Sequence, residues 1–588
     1  MSKVIIVESS AKIKTITRFL RGEYKIIASG GHIADLPKNT LGINIDDDFS
    51  FDIQADKNKL NRLNNQLEEC EELYIATDPD REGEGIASDI FKLCHLQPDT
   101  KVYRIKFNAI VYHAVVEALE KRGEIDQNLV AARHARRALD RLIGFILSPI
   151  TKFDPDGPKT PAVGRVIAPA TALVVEREKE IDAFESETTW KIKALLEHNE
   201  TEFEITIETT SPVHTFEEAK EIIDKINKKK EFIVSDVGVD IVKSVNPPPP
   251  FTTDALQYFA DLKLGLSPQR TMKIAQELYQ GIEIDGKPQA LITYMRTDSP
   301  RMSPTALKLA KECIVKRKEF SDDLYSGRKW EVSGGSIQDA HEGIRPVAPE
   351  NENFYPESLE GSLEEKYHKL FNVIYWRYLA SQMKAAQFKE KEIRFQSDDL
   401  TGIAASQTII YEGFLPAYRN IDPEYGPKEK ELPGLEQGAE VKLVRAWPEM
   451  DESKPPFRYR EGALVRALKE RGIGRPSTYA ASINKIKDYG YVEKAGASLK
   501  PTEKGKALCD FLKKHYSEVI SYGYPANMEK ALEEIETGNN EYKKYLKHEW
   551  ETWLNEPYLK ASENGWMNAD MPSPRQIEYL IELAKICG

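Results

Sequence analysis

The sequence predicts a multidomain protein of mixed α/β and α+β class, from three features. Its 588 residues exceed what one hydrophobic core serves, since chains beyond about 250–300 residues divide into domains. Strand and helix patterns alternate over residues 1–148, as in a parallel sheet covered on both faces. Period-two alternation then marks 189–243 and 390–450, and residues 460–494 read as helix, Gly turn, helix and strand pair, the outline of a winged-helix unit.

In chain order, "KVIIVES" (3–9), "ELYIATD" (72–78) and "KVYRIKF" (101–107) read as buried strands. Helical patterns occupy 10–20, 84–94, 110–121 and 127–147. Glu8 and Asp78 end their strands at the same edge of the sheet, where sites form in open α/β sheets. Beyond 150 a turn-rich stretch, "KFDPDGPKTPAVGR", leads to strands around a short helix at 216–228. "SVNPPPPF" (244–251) is a stiff break, suited to a boundary or hinge. Helices are expected at 253–263, 267–280 and 364–386, and a strand at "ALITYMRT" (290–297). The chain closes on a helical tail containing "SPRQIEYLIELAKICG".

Composition narrows the class. Hydrophobic residues make up 40% and no run of about eighteen apolar residues occurs, so no membrane span is expected. "MSKVIIVESS" enters a strand at once and carries no signal-peptide pattern. The five cysteines are scattered without a C-x-x-C pair, which argues against a zinc ribbon or disulfide framework and for a reducing, cytoplasmic setting. The net charge of −13 is uneven: residues 458–506 hold twelve Lys/Arg against five Asp/Glu, and 421–452 hold four against nine. An acidic chain can therefore still present a basic channel.

Two constellations carry chemistry. Asp78, Asp80 and Glu82 form a D-x-D-x-E run in "ATDPDREGEG", with Glu8 ending the neighbouring strand and Lys12 and Arg81 nearby. Such all-oxygen, strongly negative sites suit Mg²⁺; alternatively the acids cap the following helix. In "LITYMRTDSP", Tyr294, Arg296 and Asp298 fall on one face if the segment is extended. There an Arg can lower a phenol's pKa and bind phosphate oxygens, although a Tyr in a β-like run is also ordinary packing. Further candidates are His341 and Arg345 in "DAHEGIRP", the arginines of "ARHARRALDRLIGF", and Arg475, Ser477 and Thr478 in "GIGRPSTY", where Ser or Thr caps a helix able to bind phosphate. No G-x-x-x-x-G-K-[ST] occurs, so phosphoryl chemistry here is expected without ATP.

Together, in this order and spacing over about residues 3–540, "VIIVESSAKIKTI", "ATDPDREGEGIA", "LITYMRTDS", "DAHEGIRP" and "ERGIGRPSTYAASINKIKDYGYV" resemble the type IA DNA topoisomerases, in the bacterial topoisomerase I branch. The resemblance implies a toroid built from a Toprim α/β domain, winged-helix-like helical domains and a β-rich arch. Its parts would be Toprim 1–148, helical domain 149–195 with 451–545, arch 196–250 with 376–450, and the tyrosine-bearing domain 251–375. Residues 546–588 would form a short helical tail.

By matched position, the resemblance makes Tyr294 the nucleophile that forms a 5′-phosphotyrosyl link. Arg296 and Lys12 would stabilise the phosphorane, Glu8 would serve as general acid or base, and His341 would bind phosphate. Asp78, Asp80 and Glu82, with Glu8, would hold Mg²⁺. DNA contacts would come from His32, Arg81, Arg136, Arg137, Asp140, Arg141, Gly164, Arg165, Val166, Asp298, Arg345, Arg475, Ser477, Thr478 and Tyr489. The implied partner is DNA, with one strand in a groove and another passed through the ring, handled by a nucleoid-associated monomer. Neither ATP nor zinc is expected.

Two departures from the family stand out. Val166 is followed by Ile167 and Ala168 where the family has V-Q-S, and the C-terminal zinc modules are missing. The competing readings are a Toprim-type nuclease or primase-like enzyme, with Tyr294 structural and no covalent intermediate, and a non-catalytic winged-helix DNA-binding protein.

Overall fold

The computed structural model describes residues 2–160, 162–330 and 342–567. The first sheet is four-stranded and parallel, ordered Lys25–Ala28, Lys3–Val7, Glu72–Ala76, Lys101–Arg104. Only the edge strand "KIIA" escaped the sequence reading, because four residues are too few to show a period. Successive side chains point to opposite faces. Val4, Ile6, Leu73 and Ile75 therefore pack under helices Lys57–Leu67 and Arg81–Leu93. Ile5, Val7, Tyr74 and Ala76 face the other way, toward helices Ala11–Phe19 and Tyr112–Glu120. That second core runs unbroken into residues 251–380 and includes Leu278, Tyr279, Ile292 and Tyr294.

The arch strands form one antiparallel seven-stranded sheet, ordered Glu231–Val237, Glu440–Glu452, Thr188–His198, Thr201–Glu208, Leu400–Tyr411, Ala386–Ser397, Ile241–Val245. The first also pairs with Ala386–Ser397, so six strands close into a barrel. Closure leaves those strands no free edge. Ile192, Ala194, Leu196, Phe203, Ile205 and Ile207 alternate into its core, and helix Phe216–Asn227, started by a Thr215–Glu218 capping box, packs on it.

A third core joins helices Gln127–Phe153 and Ile167–Asp182 to the winged-helix elements Glu461–Glu470, Tyr479–Asp488, Val492–Ala495 and Ser498–Pro501. It extends through Glu503–His515 and Gly523–Glu536 to Tyr542–Glu549 and Asn555–Glu563. Three expected boundaries therefore fall inside helices: 148/149 in Gln127–Phe153, 375/376 in Glu365–Ser381, and 545/546 in Tyr542–Glu549. The reason is burial. Leu139, Leu142, Ile143 and Ile146 of the first, and Leu546, Leu554 and Ala561 of the expected tail, are fully enclosed in this one core. "SPRQIEYLIELAKICG" lies outside the described residues. Among the described residues no helix is long and apolar enough to cross a membrane, and Cys70, Cys94, Cys313 and Cys509 are buried free thiols.

The expected strand at 290–297 is not one. A short hairpin, Ile282–Ile284 with Lys287–Gln289, precedes an irregular segment. Its backbone is pinned by separate loops: Thr293 N–H donates to the Arg345 carbonyl (2.9 Å), Tyr294 N–H to the Asn108 carbonyl (2.7 Å), and Thr297 N–H to Thr253 Oγ1 (2.8 Å). With partners on three different segments, no ladder forms.

Candidate active site

The acidic turn is built by a helix start. Asp80 caps helix Arg81–Leu93, its carboxylate accepting the Gly83 N–H at 2.9 Å. Gly83 is obligatory: a Cβ there would meet the Asp78 carbonyl oxygen at 2.0 Å. Glu8 follows the central strand, and its carboxylate lies 3.5 Å from the Asp78 amide. Below the turn, Arg104 is fully buried, bonded to Glu84 (3.1 Å) and to the carbonyls of Ile75, Thr77 and Asp78, which fixes the strand end.

The tyrosine segment meets this turn directly. The Tyr294 hydroxyl donates to Asp80 Oδ2 at 2.7 Å, and Arg296 Nη1 reaches the same oxygen at 3.3 Å. Burial and the Asp80 carboxylate push the Tyr294 phenol well above its ordinary pKa despite Arg296. The expected lowering by Arg therefore fails in this arrangement, because desolvation outweighs one cation. Asp298 does not join the pair. It turns to a separate cavity of about 740 Å³ shared with Asp254 and Lys469, where burial raises its carboxyl to about 6.

Lys12, 1% exposed, forms a buried ion pair with Asp78 and lies 5.1 Å over the Tyr279 ring. Tyr279 packs edge-on against Tyr294, centroids 5.3 Å apart, and its buried hydroxyl has no partner among the described residues. Burial and the carboxylates of Asp78 and Asp80 raise Glu8 to about 7, against Lys12 and Arg296. A carboxyl poised near neutrality suits general acid–base work.

The expected metal cluster is not assembled: among the described residues no three His, Cys, Asp or Glu gather closely enough to hold an ion. Each acid is held by another group. Asp78 pairs with Lys12, Asp80 with Tyr294 and Arg296, and Glu82 with Arg133 (3.3 Å) and His32 (3.6 Å). The donor chemistry nevertheless fits a hard divalent cation, and the Asp78 and Asp80 carboxylates add to the burial that raises the Glu8 carboxyl.

A cleft of about 40 Å³ beside the turn is lined by Asp80, Arg81, Glu82, Arg136, Arg296, Arg475 and Ser477. Four of the expected DNA-binding residues thus converge beside Asp80 and Arg296, the two residues that contact each other at the tyrosine hydroxyl. His32 is exposed, its Nδ1 3.2 Å from Arg133; the ring is still partly desolvated by its neighbours, and that and the Arg133 charge lower its pKa. Several other candidates are turned to structural work. Arg345 is buried, bonded to Glu342 (2.7 Å) and the Pro346 carbonyl. Arg141 holds the loop carbonyls of Pro37, Thr40 and Leu41, and Arg137 pairs with Asp35. Arg165, 2% exposed, binds Asp140 (2.6 Å) and Glu529 (3.1 Å). Val166 packs in the third core, and the Gly164 carbonyl accepts the Ala168 N–H. Thr478 does not cap its helix; its hydroxyl accepts the Arg475 N–H at 2.9 Å, closing the Gly turn. Tyr489 meets Tyr491 edge to face, centroids 5.8 Å apart. His341 lies outside the described residues.

Tyr279 and Glu529 escaped the sequence reading, since a Tyr ending an amphipathic helix and a Glu within one carry no local signal.

The chain matches the family model described as DNA topoisomerase over residues 124–547 and that of the Toprim domain over 3–110. It is 36% identical over 568 residues to DNA topoisomerase 1 of Rickettsia bellii (strain RML369-C), covering 93% of this chain and 70% of that protein. Identity to DNA topoisomerase 1 of Rickettsia felis is 35% over 568 residues, covering 93% and 72%. Its fold is similar to full-length topoisomerase I from Thermotoga maritima, with a TM-score of 0.82 and 34% identity over 95% of this chain and 90% of that one.

Proposed function

The chain belongs to the type IA DNA topoisomerases, and from that membership we propose how its own residues carry the reaction. The enzyme is an ATP-independent isomerase that binds DNA, cleaves one strand transiently through a 5′-phosphotyrosyl intermediate, rejoins it and relaxes negative supercoils. The Toprim nuclease alternative is not favoured.

Tyr294 is the nucleophile. Its phenol attacks the scissile phosphorus, the P–O3′ bond breaks, and the strand keeps a free 3′-hydroxyl. The Asp80 carboxylate, which already accepts the phenol's hydrogen bond, orients the attacking oxygen, takes its proton as the new P–O bond forms and returns it on religation. Glu8 donates the proton that the departing 3′ oxygen takes up and recovers it on religation, which a carboxyl near pH 7 can do. The partly exposed Arg296 and the buried Lys12 supply the positive charge that a phosphorane demands. His341 is assigned to the phosphate by its matched position.

Enzymes of this family are metal-dependent. We assign Mg²⁺ to Glu8, Asp78 and Asp80, with Glu82 joining only when its pair with Arg133 opens. Bound there, the ion would supply charge that aligns the cleaved ends for rejoining. The strand's phosphates follow the cleft of Arg136, Arg296, Arg475 and Ser477. The second strand passes through the ring of a monomer working on the cytoplasmic nucleoid.

The observation that carries this reading is the Tyr294–Asp80–Arg296 contact, which joins segments 214 residues apart. The test is denaturant trapping on 5′-labelled and 3′-labelled single-stranded DNA without ATP. Protein-linked label from the 3′-labelled strand only, lost in Tyr294→Phe, is expected. Cleavage without an adduct, surviving in the variant, would restore the nuclease reading.

A further inference from the structure

Helix Gly523–Glu536 carries Glu529, Glu533 and Glu536 at i, i+4 and i+7, one stripe of an α-helix. The stripe faces arginines drawn from four separate segments. Glu529 is completely buried. Its Oε2 accepts from Arg81 Nη1 at 3.0 Å and lies 3.5 Å from Arg475 Nε, while its Oε1 accepts from Arg165 Nη1 at 3.1 Å. Arg475 Nη2 also binds Glu533 at 2.7 Å, and Arg81 Nε binds Glu536. Burial alone would raise the Glu529 carboxyl, but Arg165, Arg136, Arg81 and Arg475 hold it far below the ordinary carboxylate range. Each of these guanidiniums is held through Nε and Nη1, Arg81 by Glu536 and Glu529 and Arg165 by Asp140 and Glu529, while Arg81 Nη2 and Arg165 Nη2 are buried with no partner among the described residues.

The arginines around this one carboxylate belong to different places. Arg81 sits between Asp80 and Glu82 in the acidic turn. Arg165 bridges to Asp140, and Arg475 lines the cleft proposed for the strand. Glu529 therefore bonds both to Arg81, within the turn that holds the nucleophile, and to Arg165 and Arg475 on the cleft side. Removing one partner of a buried ion pair is costly because the other charge is left unpaired, so the arrangement has a single well-defined register.

We propose that Glu529, which touches neither DNA nor the reacting atoms, is a positioning residue that registers the single-strand cleft to the acidic turn, so that a seated strand brings its scissile phosphate to Tyr294. This rests on the cleft assignment made above. Simple charge neutralisation makes the opposite prediction: losing a carboxylate adds net positive charge, and single-strand binding should tighten with a steeper salt dependence.

The experiment uses the full chain carrying Glu529→Gln, which keeps shape and loses charge, and Glu529→Asp, which keeps charge and shortens reach. Each is melted, titrated with fluorescent oligodeoxynucleotide at several salt concentrations in a Tyr294→Phe background, and assayed for adduct formation with Tyr294 present. Glu529→Gln should bind about tenfold more weakly despite its extra positive charge and form adduct at least tenfold more slowly per folded molecule, with Glu529→Asp intermediate. Tighter binding with a steeper salt slope, or wild-type binding and cleavage, overturns the proposal. If Glu529→Gln fails to fold, Glu529→Asp decides: wild-type binding and cleavage in it also overturn the proposal. Absence of adduct in the parent chain would instead sink the tyrosine reading, while the binding titrations still decide the role of Glu529.

Discussion

Replacing Lys12 by Met tests the site's electrostatics most directly. Met keeps the volume of the side chain and removes its charge, leaving Asp78 buried and unpaired beside Glu8 and Asp80. Breaking a buried pair in this way costs about 3–5 kcal/mol. Glu8 adds a pH signature. Its folded pKa of about 7 lies above the ordinary 4.5, so between those values the folded state holds a proton that the unfolded chain has lost. Stability therefore falls as pH rises from 4.5 through 7, by about 3 kcal/mol for a shift of this size. Lys12 is one of the two cations restraining that shift, so in Lys12→Met the decline should continue above pH 7. Native-state hydrogen exchange of strand Glu72–Ala76 in metal-free buffer reads the local effect. At pH 8 its amides should exchange at least a hundredfold faster than in the parent, with Lys12→Met/Asp78→Asn restoring much of the protection. Adduct formation should drop by about two orders of magnitude or more. Parent-like exchange at pH 8, or no rescue by the double variant, would refute the reasoning.

Three further outcomes are expected. Tyr279→Phe removes a buried hydroxyl that has no partner and should leave thermal stability unchanged or raised by about 1 kcal/mol, whereas Tyr279→Ala, by unseating the Tyr294 ring, should cost about 3–5 kcal/mol and depress cleavage in the same assays. Gly83→Ala drives a Cβ into the Asp78 carbonyl and should lose cleavage at least tenfold; Gly123→Ala, whose Cβ meets nothing within 4 Å, is the neutral control. His134, between Phe51 and Tyr542, is held down to about 4 by burial, Arg133 and Lys92. The unfolded chain then binds the proton first, so stability is lost as pH falls from 6.5 through 4, by about 3 kcal/mol. His134→Gln should flatten that part of a denaturation-versus-pH curve, and an unchanged slope would show that His134 is already charged at pH 6.

Much of the fold was readable because its signals are local. Strand runs such as "KVIIVES", the capped start at Asp80 and the Gly turn before Arg475 each follow from a few adjacent residues. The closed barrel was not readable, since the pairing of Glu231–Val237 with Ala386–Ser397 depends on register between distant segments. The site divides in the same way. Residue types in the two motifs identified Tyr294, Arg296, Asp80 and Lys12, and the structure brings them together. Which arginines line the cleft and which are spent on loops, as Arg141 and Arg345 are, depends on partners a hundred residues away or on burial that a motif does not encode. The three boundaries that fall inside helices share a cause: a helix looks alike in sequence whichever core its apolar face enters.

The apolar core continuous from the parallel sheet into the segment around Tyr294 has a thermal consequence. Any motion that lifts the tyrosine away from the acidic turn must wet part of this core, and newly wetted apolar surface raises heat capacity. The grip between the two parts therefore loosens on cooling. Opening should then show a curved temperature dependence, with a severed strand held most securely in the warmth and least securely in the cold.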